Sequence, residues 1–279
     1  MSTLRAAILA HCAGALMMGL ACSAQAGDGM VFTGVTEAVR DLALSLSVDG
    51  VVRELKVAEG TAVKAGAPLL HLDDRLEEYE VKRRALIVEN HATLEASRQK
   101  RGIVESMLKS SRALHQKSGT VSAEQVQQLE MSYHDVVGTI RSLEGEKARE
   151  KVEYEIARTQ LERRTLVSPI SGIVTVIDVD VGERVRGGEP IVRVVDLSSC
   201  YLIANIEETY ARRLKSGTRH TVDVRVGDEW VSRQAEVTFV SPVADPASSL
   251  VKVKLKIPNE TGDIRPGMPG RIAFAGSGL

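Results

Sequence analysis

Two short stretches of the chain share one alternation of apolar and polar positions. Residues 50–74 read GVVRELKVAEGTAVKAGAPLLHLDD and residues 172–196 read GIVTVIDVDVGERVRGGEPIVRVVD. The second stretch lies 122 positions after the first, and the two align without a gap. Alternating apolar residues interrupted by glycine turns predict short β-strands. Eight aligned pairs are identical: Gly50/Gly172, Val52/Val174, Val57/Val179, Gly60/Gly182, Val63/Val185, Gly66/Gly188, Pro68/Pro190 and Asp74/Asp196.

The segment between the repeats follows a helical period. From about residue 75 to 165 proline is absent, glycine is sparse, and good helix formers dominate. In the second half, the steps between seam positions alternate three and four residues, which is the a/d spacing of a coiled coil. Lys147 and Glu150 are polar exceptions that indicate a loosened part of the seam. The seam positions are Val126, Leu129, Tyr133, Val136, Ile140, Leu143, Lys147, Glu150, Tyr154, Ala157 and Leu161.

The first half of this segment has a broader apolar face. A helix that packs on one partner and faces others sideways would show such a face, and so would a poorly packed helix, so both interpretations stay open. One stripe contains Leu76, Ile87, Leu94, Val104 and Leu108, and a second beside it contains Leu86, Met107 and Leu114.

A boundary between two helices is encoded in HQKSGTVSAEQV, residues 115–126. Gly119 is suited to end the first helix in a left-handed conformation. Ser122 and Gln125 have the spacing of a capping box, and Val121 and Val126 that of a hydrophobic staple. Two helices of about 40–45 residues, joined by so short a turn, are expected to run antiparallel over about 60–65 Å.

This arrangement explains why the β pattern occurs twice. Neither repeat is long enough to bury much apolar surface alone. The returning helix would bring the two repeats together, so that they close one small β domain with pseudo-twofold symmetry. The repeat therefore predicts one domain that is split by a helical insertion.

Length and charge narrow the function classes. The chain has 279 residues, which is room for two or three small domains. Lys and Arg total 36 against 37 Asp and Glu, so no basic surplus points to a nucleic-acid partner. Aromatic residues make up only 3%, which fits small β modules and long aliphatic helix seams.

The first residues have the pattern of a secretory signal. An apolar run from about residue 6 to 21 follows Arg5, and Ala24-Gln25-Ala26 is a small-x-small cleavage pattern. The run is shorter than the roughly 20 residues that span a bilayer. The alternatives are a lipoprotein signal acylated at Cys22 and an uncleaved anchor. Cleavage would leave Cys200 as the one mature cysteine, and no later segment is apolar enough to cross a membrane.

No pattern of catalytic, metal-binding or cofactor-binding residues is found. No two histidines stand at i, i+4, and no HExxH motif accompanies them, whereas a zinc site needs three or four convergent ligands. His115 and His134 flank the helix boundary, so metal sensing there stays open. Ser168 to Gly172 is interpreted as a turn from helix to strand, since a hydrolase serine requires a positioned base.

The order of the elements resembles that of periplasmic adaptor proteins, also called membrane fusion proteins, of the HlyD-like type. The two repeats around the helices resemble their biotinyl-lipoyl-like domain. Residues 197–217 resemble the entry to their β-barrel, residues 235–259 its later strands, and IRPGMPGRI at 264–272 its closing turn. The resemblance implies a mixed α and β, elongated fold. A split lipoyl-like β domain, interrupted by a long antiparallel coiled-coil hairpin, is followed by a small β-barrel domain.

The resemblance sets the expected domain boundaries. They are a signal peptide at 1–26, an N-terminal strand segment joining the barrel at 27–47, the halves of the lipoyl-like domain at 48–74 and 166–196, the helical hairpin at 75–165 with its tip at 117–122, and the β-barrel at 197–275. The family's membrane-proximal domain is expected to be missing, or reduced to the segment around 31–47. Carrier domains hold their cofactor on a lysine where the helices stand here, so no cofactor is expected.

The resemblance also implies a function. The chain would be a non-catalytic periplasmic subunit, peripheral to the membrane, which bridges an inner-membrane transporter and an outer-membrane channel in a tripartite efflux or secretion system. It would form a homo-oligomeric ring, a trimer or a hexamer. The transporter would be of RND or ABC type, and the lack of an anchor favours RND. The expected contact residues at the tip are Leu114, Gly119, Thr120, Val121 and Ser122.

One departure from the family pattern leaves room for another interpretation. Adaptors that meet a TolC-like channel often carry an Arg, a Leu four residues later and a Ser seven after that. Counted back from Ser122, those places hold His115 and Ser111, while Leu114 and Arg112 are out of register. The alternative function is a stand-alone coiled-coil scaffold of the cell envelope with no role in transport.

Overall fold

The computed structural model describes residues 30–274, so the predicted signal peptide lies outside the described residues. The described chain divides into two compact units: residues 36–202 with 256–268, and residues 30–35, 203–255 and 269–274. The strands are β1 (Met30–Ser45), β2 (Gly50–Leu55), β3 (Ala62–Val63), β4 (Pro68–Leu72), β5 (Thr165–Val167), β6 (Gly172–Ile177), β7 (Arg184–Val185), β8 (Pro190–Glu207), β9 (Arg219–Val226), β10 (Glu229–Ala244), β11 (Leu250–Pro258) and β12 (Pro269–Phe274). The helices are α1 (Arg75–Glu89), α2 (Ala92–Ser118), α3 (Ala123–Glu162) and α4 (Glu208–Ala211).

The two repeats exchange strands with each other. β2 of the first repeat pairs with β7 of the second, and β6 of the second pairs with β3 of the first. The turns repeat the exchange: Gly60 N donates to the Val174 carbonyl at 2.7 Å, and Gly182 N donates to the Val52 carbonyl at 2.8 Å. Equivalent residues thus make equivalent bonds in both directions, as the predicted pseudo-twofold symmetry requires.

The equivalence extends to an irregularity in the sheets. β2 pairs with β4, and β6 pairs with β8, each antiparallel. The register shifts between Val52 and Glu54 in the first pair and between Val174 and Val176 in the second, which are equivalent places in the repeats. A bulge bends a strand and increases its twist, so both halves curve at the same point.

One core serves both repeats. Val52 and Val174 are repeat mates, and both are buried in the same apolar cluster. Most apolar residues of either repeat alone would stay exposed, so each half needs the other to remove them from water. The buried members of this cluster are Leu46, Val52, Val63, Leu69, Leu70, Leu72, Leu166, Ile170, Val174, Val179, Val185, Ile191, Val192 and Val194.

The helical insertion corrects one prediction. The expected first helix of about 40–45 residues is two helices, because α1 ends at Glu89 and α2 begins at Ala92. Asn90 between them is extended, with φ −77° and ψ 100°. The returning helix α3 is continuous over 40 residues. We count α1 and α2 as one arm and α3 as the other, and we call the two arms together the helical pair.

Ion pairs between α2 and α3 show the relative direction of the two helices and which of their residues lie side by side. Arg98 bonds Glu144 at 2.8 Å, and Arg112 bonds Glu130 at 2.6 Å. Fourteen positions forward along α2 therefore match fourteen positions back along α3, so the two helices are antiparallel. Three buried residues of the predicted stripe and seam, Leu94, Val136 and Ile140, form a cluster between them. Among residues 30–274, no helix combines the length and apolar character that a membrane span needs.

The second unit is a small barrel. Its strands follow the order β1, β12, β9, β10, β11, β8, and β8 pairs again with β1. At this closure Gly34 leaves no room for a side chain, because a Cβ there would lie 2.2 Å from the Ile203 carbonyl oxygen. An aromatic cluster lies beside it, in which the Phe32 and Phe274 rings stand 5.4 and 5.5 Å from that of Tyr210.

Candidate functional site at the turn between α2 and α3

The turn between α2 and α3 is built by the capping signals of the sequence. Gly119 has φ 66°, the left-handed conformation that glycine adopts without steric cost, and ends α2. Ser122 Oγ accepts a bond from Gln125 N at 3.1 Å, and Gln125 Oε1 accepts one from Ser122 N at 3.1 Å. The predicted capping box and helix end are both confirmed. We call residues 119–122 the tip turn.

Side chains near the end of α2 bond to the tip turn and brace it. His115 Nδ1 lies 2.8 Å from the Val121 carbonyl oxygen. A carbonyl oxygen only accepts, so the proton of this bond is on Nδ1. Ser118 Oγ donates to the Leu114 carbonyl at 3.0 Å and lies 2.5 Å from Thr120 Oγ1. These bonds hold the backbone of the turn in one conformation.

The structure brings together four of the five predicted contact residues. Gly119, Thr120 and Ser122 are exposed and Val121 is half-buried, all within the tip turn. Leu114 stands slightly more than one helical turn before the end of α2, and 51% of its surface is exposed. Arg112 is engaged elsewhere, because its guanidinium pairs with Glu130 across the helices.

This geometry suits docking better than chemistry. The tip turn presents the hydroxyl side chains of Thr120 and Ser122 and the apolar side chain of Val121 on a braced backbone, and no charged residue lies within it. A preorganised surface of this kind binds a partner with little ordering cost. His115 is the one titratable side chain that bonds to the turn among the hydrogen bonds described for residues 30–274.

The remaining candidate residues lie apart from this site. His71 bonds Thr165 Oγ1 at 2.7 Å in the β domain, and His220 lies 3.1 Å from Thr218 Oγ1 in the barrel. Across residues 30–274, no three His, Cys, Asp or Glu side chains converge to hold a metal ion. Cys200 is fully buried, and this burial raises the pKa of its thiol. Its thiol therefore stays protonated and unreactive.

Two polar clusters were not foreseen from the sequence. On the barrel, Arg271 donates to Asp223 at 3.0 Å and stacks over Trp230, with 4.3 Å between the guanidinium carbon and the ring centroid. In the helical pair, Lys147 bonds both Glu150 and the carbonyl of Ile87. The polar exceptions in the seam were the signal for the second cluster, whereas the first depends on a strand register that no sequence pattern revealed.

The chain matches two family models. Residues 42–197, more than half of the chain, match "RND MFP, barrel-sandwich hybrid domain", and residues 200–278 match "CusB-like, beta-barrel domain". An uncharacterized protein of Haemophilus influenzae is 27% identical over 246 residues, which are 87% of this chain and 56% of that protein. The macrolide export protein MacA of Shigella flexneri is 24% identical over 256 residues, which are 88% of this chain and 67% of MacA.

A solved structure shows the same fold. The crystal structure of MacA from Actinobacillus actinomycetemcomitans superposes with a TM-score of 0.72 at 21% identity, over 89% of this chain and 79% of that one. This chain spans about half the length of its Haemophilus relative and two thirds of that of MacA. Since the first family model alone covers the repeats and the helices between them, the chain belongs to the RND membrane fusion protein (MFP) family.

Proposed function

We propose that this protein is a periplasmic adaptor of a tripartite efflux or secretion system, which bridges an inner-membrane transporter and an outer-membrane channel without catalysing a reaction. The observation that carries the proposal is the exposed tip turn, braced by its own bonds at the end of a helical pair inserted into an MFP-family β domain. An insertion of this form is a spacer with a contact surface at its end.

The proposal assigns a role to each part of the chain. Residues 1–26 are the export signal, and the helices of 75–165 form a coiled-coil hairpin between the two halves of a lipoyl-like domain, 48–74 and 166–196. The second unit, the small barrel that includes β1, is the β-barrel domain of the adaptor. Copies assemble into a ring, and Leu114 with the tip turn meets the channel.

The names of the family models and relatives suggest which transporter type and which cargo to test first. Both family models carry names of the RND type or of CusB, which favours an RND transporter. The name macrolide export protein gives macrolides as the first cargo class to test. To decide between the two transporter types, one candidate transporter of each type is deleted in turn. The deletion that gives the same export defect as deleting this protein identifies the transporter type.

Charge placed at the tip turn tests the proposal. Val121→Glu puts a carboxylate on the expected contact surface, and Ser106→Glu is the matched control, because Ser106 is exposed on α2 away from the turn. In cells without the wild-type copy, we expect Val121→Glu to lose resistance across a drug panel that includes macrolides and Ser106→Glu to keep it. Full resistance with folded Val121→Glu would contradict docking through this turn. A deletion with no export defect would favour the stand-alone scaffold.

A further inference from the structure

The two arms of the helical pair are tightly packed over only part of their length. On the tip side of Asn90, Leu94 of α2 is buried together with Val136 and Ile140 of α3. The next buried residue along α3 is Ala157, and α1 contains no buried residue anywhere within its described length. Few buried apolar contacts mark a segment of low local stability. This loosely packed segment includes the break between α1 and α2.

The pairing of the two arms changes register at the same place. On the tip side, the ion pairs of α2 with α3 match equal numbers of positions on the two helices. On the other side of the break, Arg84 pairs with Glu153. The fourteen positions from Arg84 to Arg98 therefore lie opposite only the nine positions from Glu144 to Glu153. Uninterrupted helices that lie side by side advance equally, so the interruption at Asn90 takes up the difference.

The continuous arm has a weak point opposite the break. Gly145 lies between Glu144, which pairs with α2, and Lys147, which bonds the end of α1. A Cβ built on Gly145 would have no atom within 4 Å, so close packing does not require a glycine there. Glycine inside a helix is less favourable than alanine, and it leaves the backbone freer to change its angles. We call the break at Asn90 and Gly145 together the joint.

A cavity of about 280 Å³ lies at the joint. Its lining includes Asn90 and Thr93 from the first arm and Leu143 and Glu146 from α3. Protein interiors are ordinarily packed without such gaps, and close packing is what makes them resist deformation. The gap therefore leaves room for the two arms to move relative to each other at the joint.

One polar contact ties the arms together beside this cavity. Lys147 occupies a seam position that is apolar in an ordinary coiled coil, and its side chain is only 20% exposed. Its Nζ donates to the Ile87 carbonyl at 2.8 Å and pairs with Glu150 at 2.6 Å. The same carbonyl accepts a longer bond, 3.3 Å, from Asn90 N. Lys147 thus connects α3 to the last turn of α1, directly before the break.

We propose that the helical pair bends at the joint and that Lys147 is the contact that holds the joint in the described conformation. While Nζ bonds the Ile87 carbonyl, α1 keeps its direction relative to α2. When this bond opens, Asn90 changes its backbone angles and α3 curves at Gly145. Hinges of this kind are a few residues at the ends of elements that absorb a change in φ and ψ.

The inference rests on the proposed function for its use in the cell. A joint at this place lets the segment that carries the tip turn change direction while the β domain stays where it is. A partner that binds the tip turn would then select the direction that fits it, because a ligand shifts the populations of conformations that already exist.

Double electron–electron resonance between spin labels tests the joint in the isolated protein. Glu78→Cys/Ser106→Cys places one label on α1 and one on α2, and Lys100→Cys/Lys117→Cys places both on α2 as the matched control, all at exposed positions. Cys200 is buried and should stay unlabelled. Adding Lys147→Met should about double the width of the distance distribution of the first pair and leave that of the control pair unchanged. Equal broadening of both pairs, or no broadening of the first, would overturn the joint.

Two glycine variants of α3 give an independent readout. Gly145→Ala puts a better helix former opposite the break, and Gly138→Ala does the same beside the packed Val136 and Ile140. A Cβ has free space at both positions, so both variants should fold at least as stably as the protein without them. In the presence of Lys147→Met, Gly145→Ala should remove about half of the broadening, whereas Gly138→Ala should remove none. Equal distributions in the two glycine variants would overturn the joint.

The joint and the proposed function fail in different ways. The label distances are measured without a channel or a transporter, so an unchanged distribution would remove the joint alone. The loss of resistance in Val121→Glu would still support docking through the tip turn. Conversely, full resistance in Val121→Glu would contradict docking and leave the measured bending as a property of the chain.

Discussion

Lys147 Nζ donates a hydrogen bond to the carbonyl of Ile87 at 2.8 Å and pairs with Glu150 Oε2 at 2.6 Å. Ile87 lies in the last turn of α1, where its carbonyl accepts a long bond from Asn90 N at 3.3 Å and a positive charge is favourable. The lysine of α3 therefore adds a second, shorter bond to the end of α1 across the seam. A cavity of about 280 Å³ lies beside this bond, at the break between α1 and α2.

Replacing Lys147 by methionine should destabilise the helical pair. The substitution leaves Glu150, whose side chain is only 20% exposed, without its partner and leaves the Ile87 carbonyl with only its 3.3 Å bond from Asn90 N. We expect a loss of about 1–3 kcal/mol in the free energy of unfolding. The double variant Lys147→Met/Glu150→Leu should recover most of this loss, because an apolar pair carries no desolvation cost. Urea unfolding measures both, and equal losses in both variants would contradict the account.

Replacing Ser122 by alanine should loosen the start of α3. Ser122 Oγ accepts the bond from Gln125 N, and removing an N-cap of this kind costs about 1 kcal/mol. Ser132→Ala is the matched control, because Ser132 lies inside the same helix and bonds only the Gln128 carbonyl. Hydrogen exchange at residues 123–126 should rise in Ser122→Ala alone. The prediction fails if the two variants exchange alike.

The repeat-mate glycines Gly50 and Gly172 should differ in their tolerance of a methyl group. A Cβ on Gly172 would lie 2.4 Å from the Val195 carbonyl oxygen, which is backbone within a paired strand. A Cβ on Gly50 would lie 2.7 Å from Leu72 Cδ1, the end of a side chain. We expect Gly172→Ala to lose about 1–3 kcal/mol, as overpacked sites do, and Gly50→Ala to lose less. Denaturant unfolding of the two variants decides the order.

The barrel cluster should respond to acid through Asp223. The Ser232 hydroxyl, which donates to Asp223 at 2.6 Å, and the Arg271 guanidinium hold the pKa of Asp223 below its ordinary value. Because the folded-state pKa is lowered, this stabilisation is fully present above about 3.9, the ordinary aspartate value, and is lost as pH falls through the folded-state pKa. Protonation also releases Arg271, which stacks on Trp230.

Trp230 is the one tryptophan of the chain, so its fluorescence reports this titration directly. In the wild type, the midpoint of the fluorescence change should lie below about pH 3.9. Ser232→Ala removes the main cause of the lowered pKa and should shift the midpoint upward. Ser241→Ala, on the same strand and without a bond to Asp223, should leave it in place. Equal midpoints in all three proteins would contradict the assignment.

The parts of the fold that sequence could predict are those in which the signal is local. Ser122, Gln125 and Gly119 act within a few residues of one another, and the structure has the capping box and the helix end where the spacing placed them. The gapless repeat predicted a shared core, because both repeats have the same apolar pattern. Val52 and Val174, which occupy equivalent positions in that pattern, are buried in one cluster.

The break at Asn90 could not be predicted from its own surroundings, since neither glycine nor proline occurs near it. The carbonyl of Ile87, just before the break, bonds Lys147, which lies sixty positions later in the sequence, and this contact depends on the pairing of α1 with α3. The cluster of Asp223, Ser232 and Arg271 also could not be predicted, because it depends on contacts between residues far apart in the sequence. These residues meet only because β9 lies between β10 and β12. The contact role of the tip residues remains a prediction for experiment.

Photo-crosslinking from the tip turn tests the central claim most directly. A photoreactive amino acid in place of the exposed Thr120, activated in living cells and followed by mass spectrometry of the adducts, captures whatever the tip turn touches. The same substitution at Ser106 serves as the control position. An adduct with an outer-membrane channel protein from Thr120 and not from Ser106 is the result the account predicts. Adducts from Thr120 only with further copies of this chain, or none at all, would contradict the bridging function.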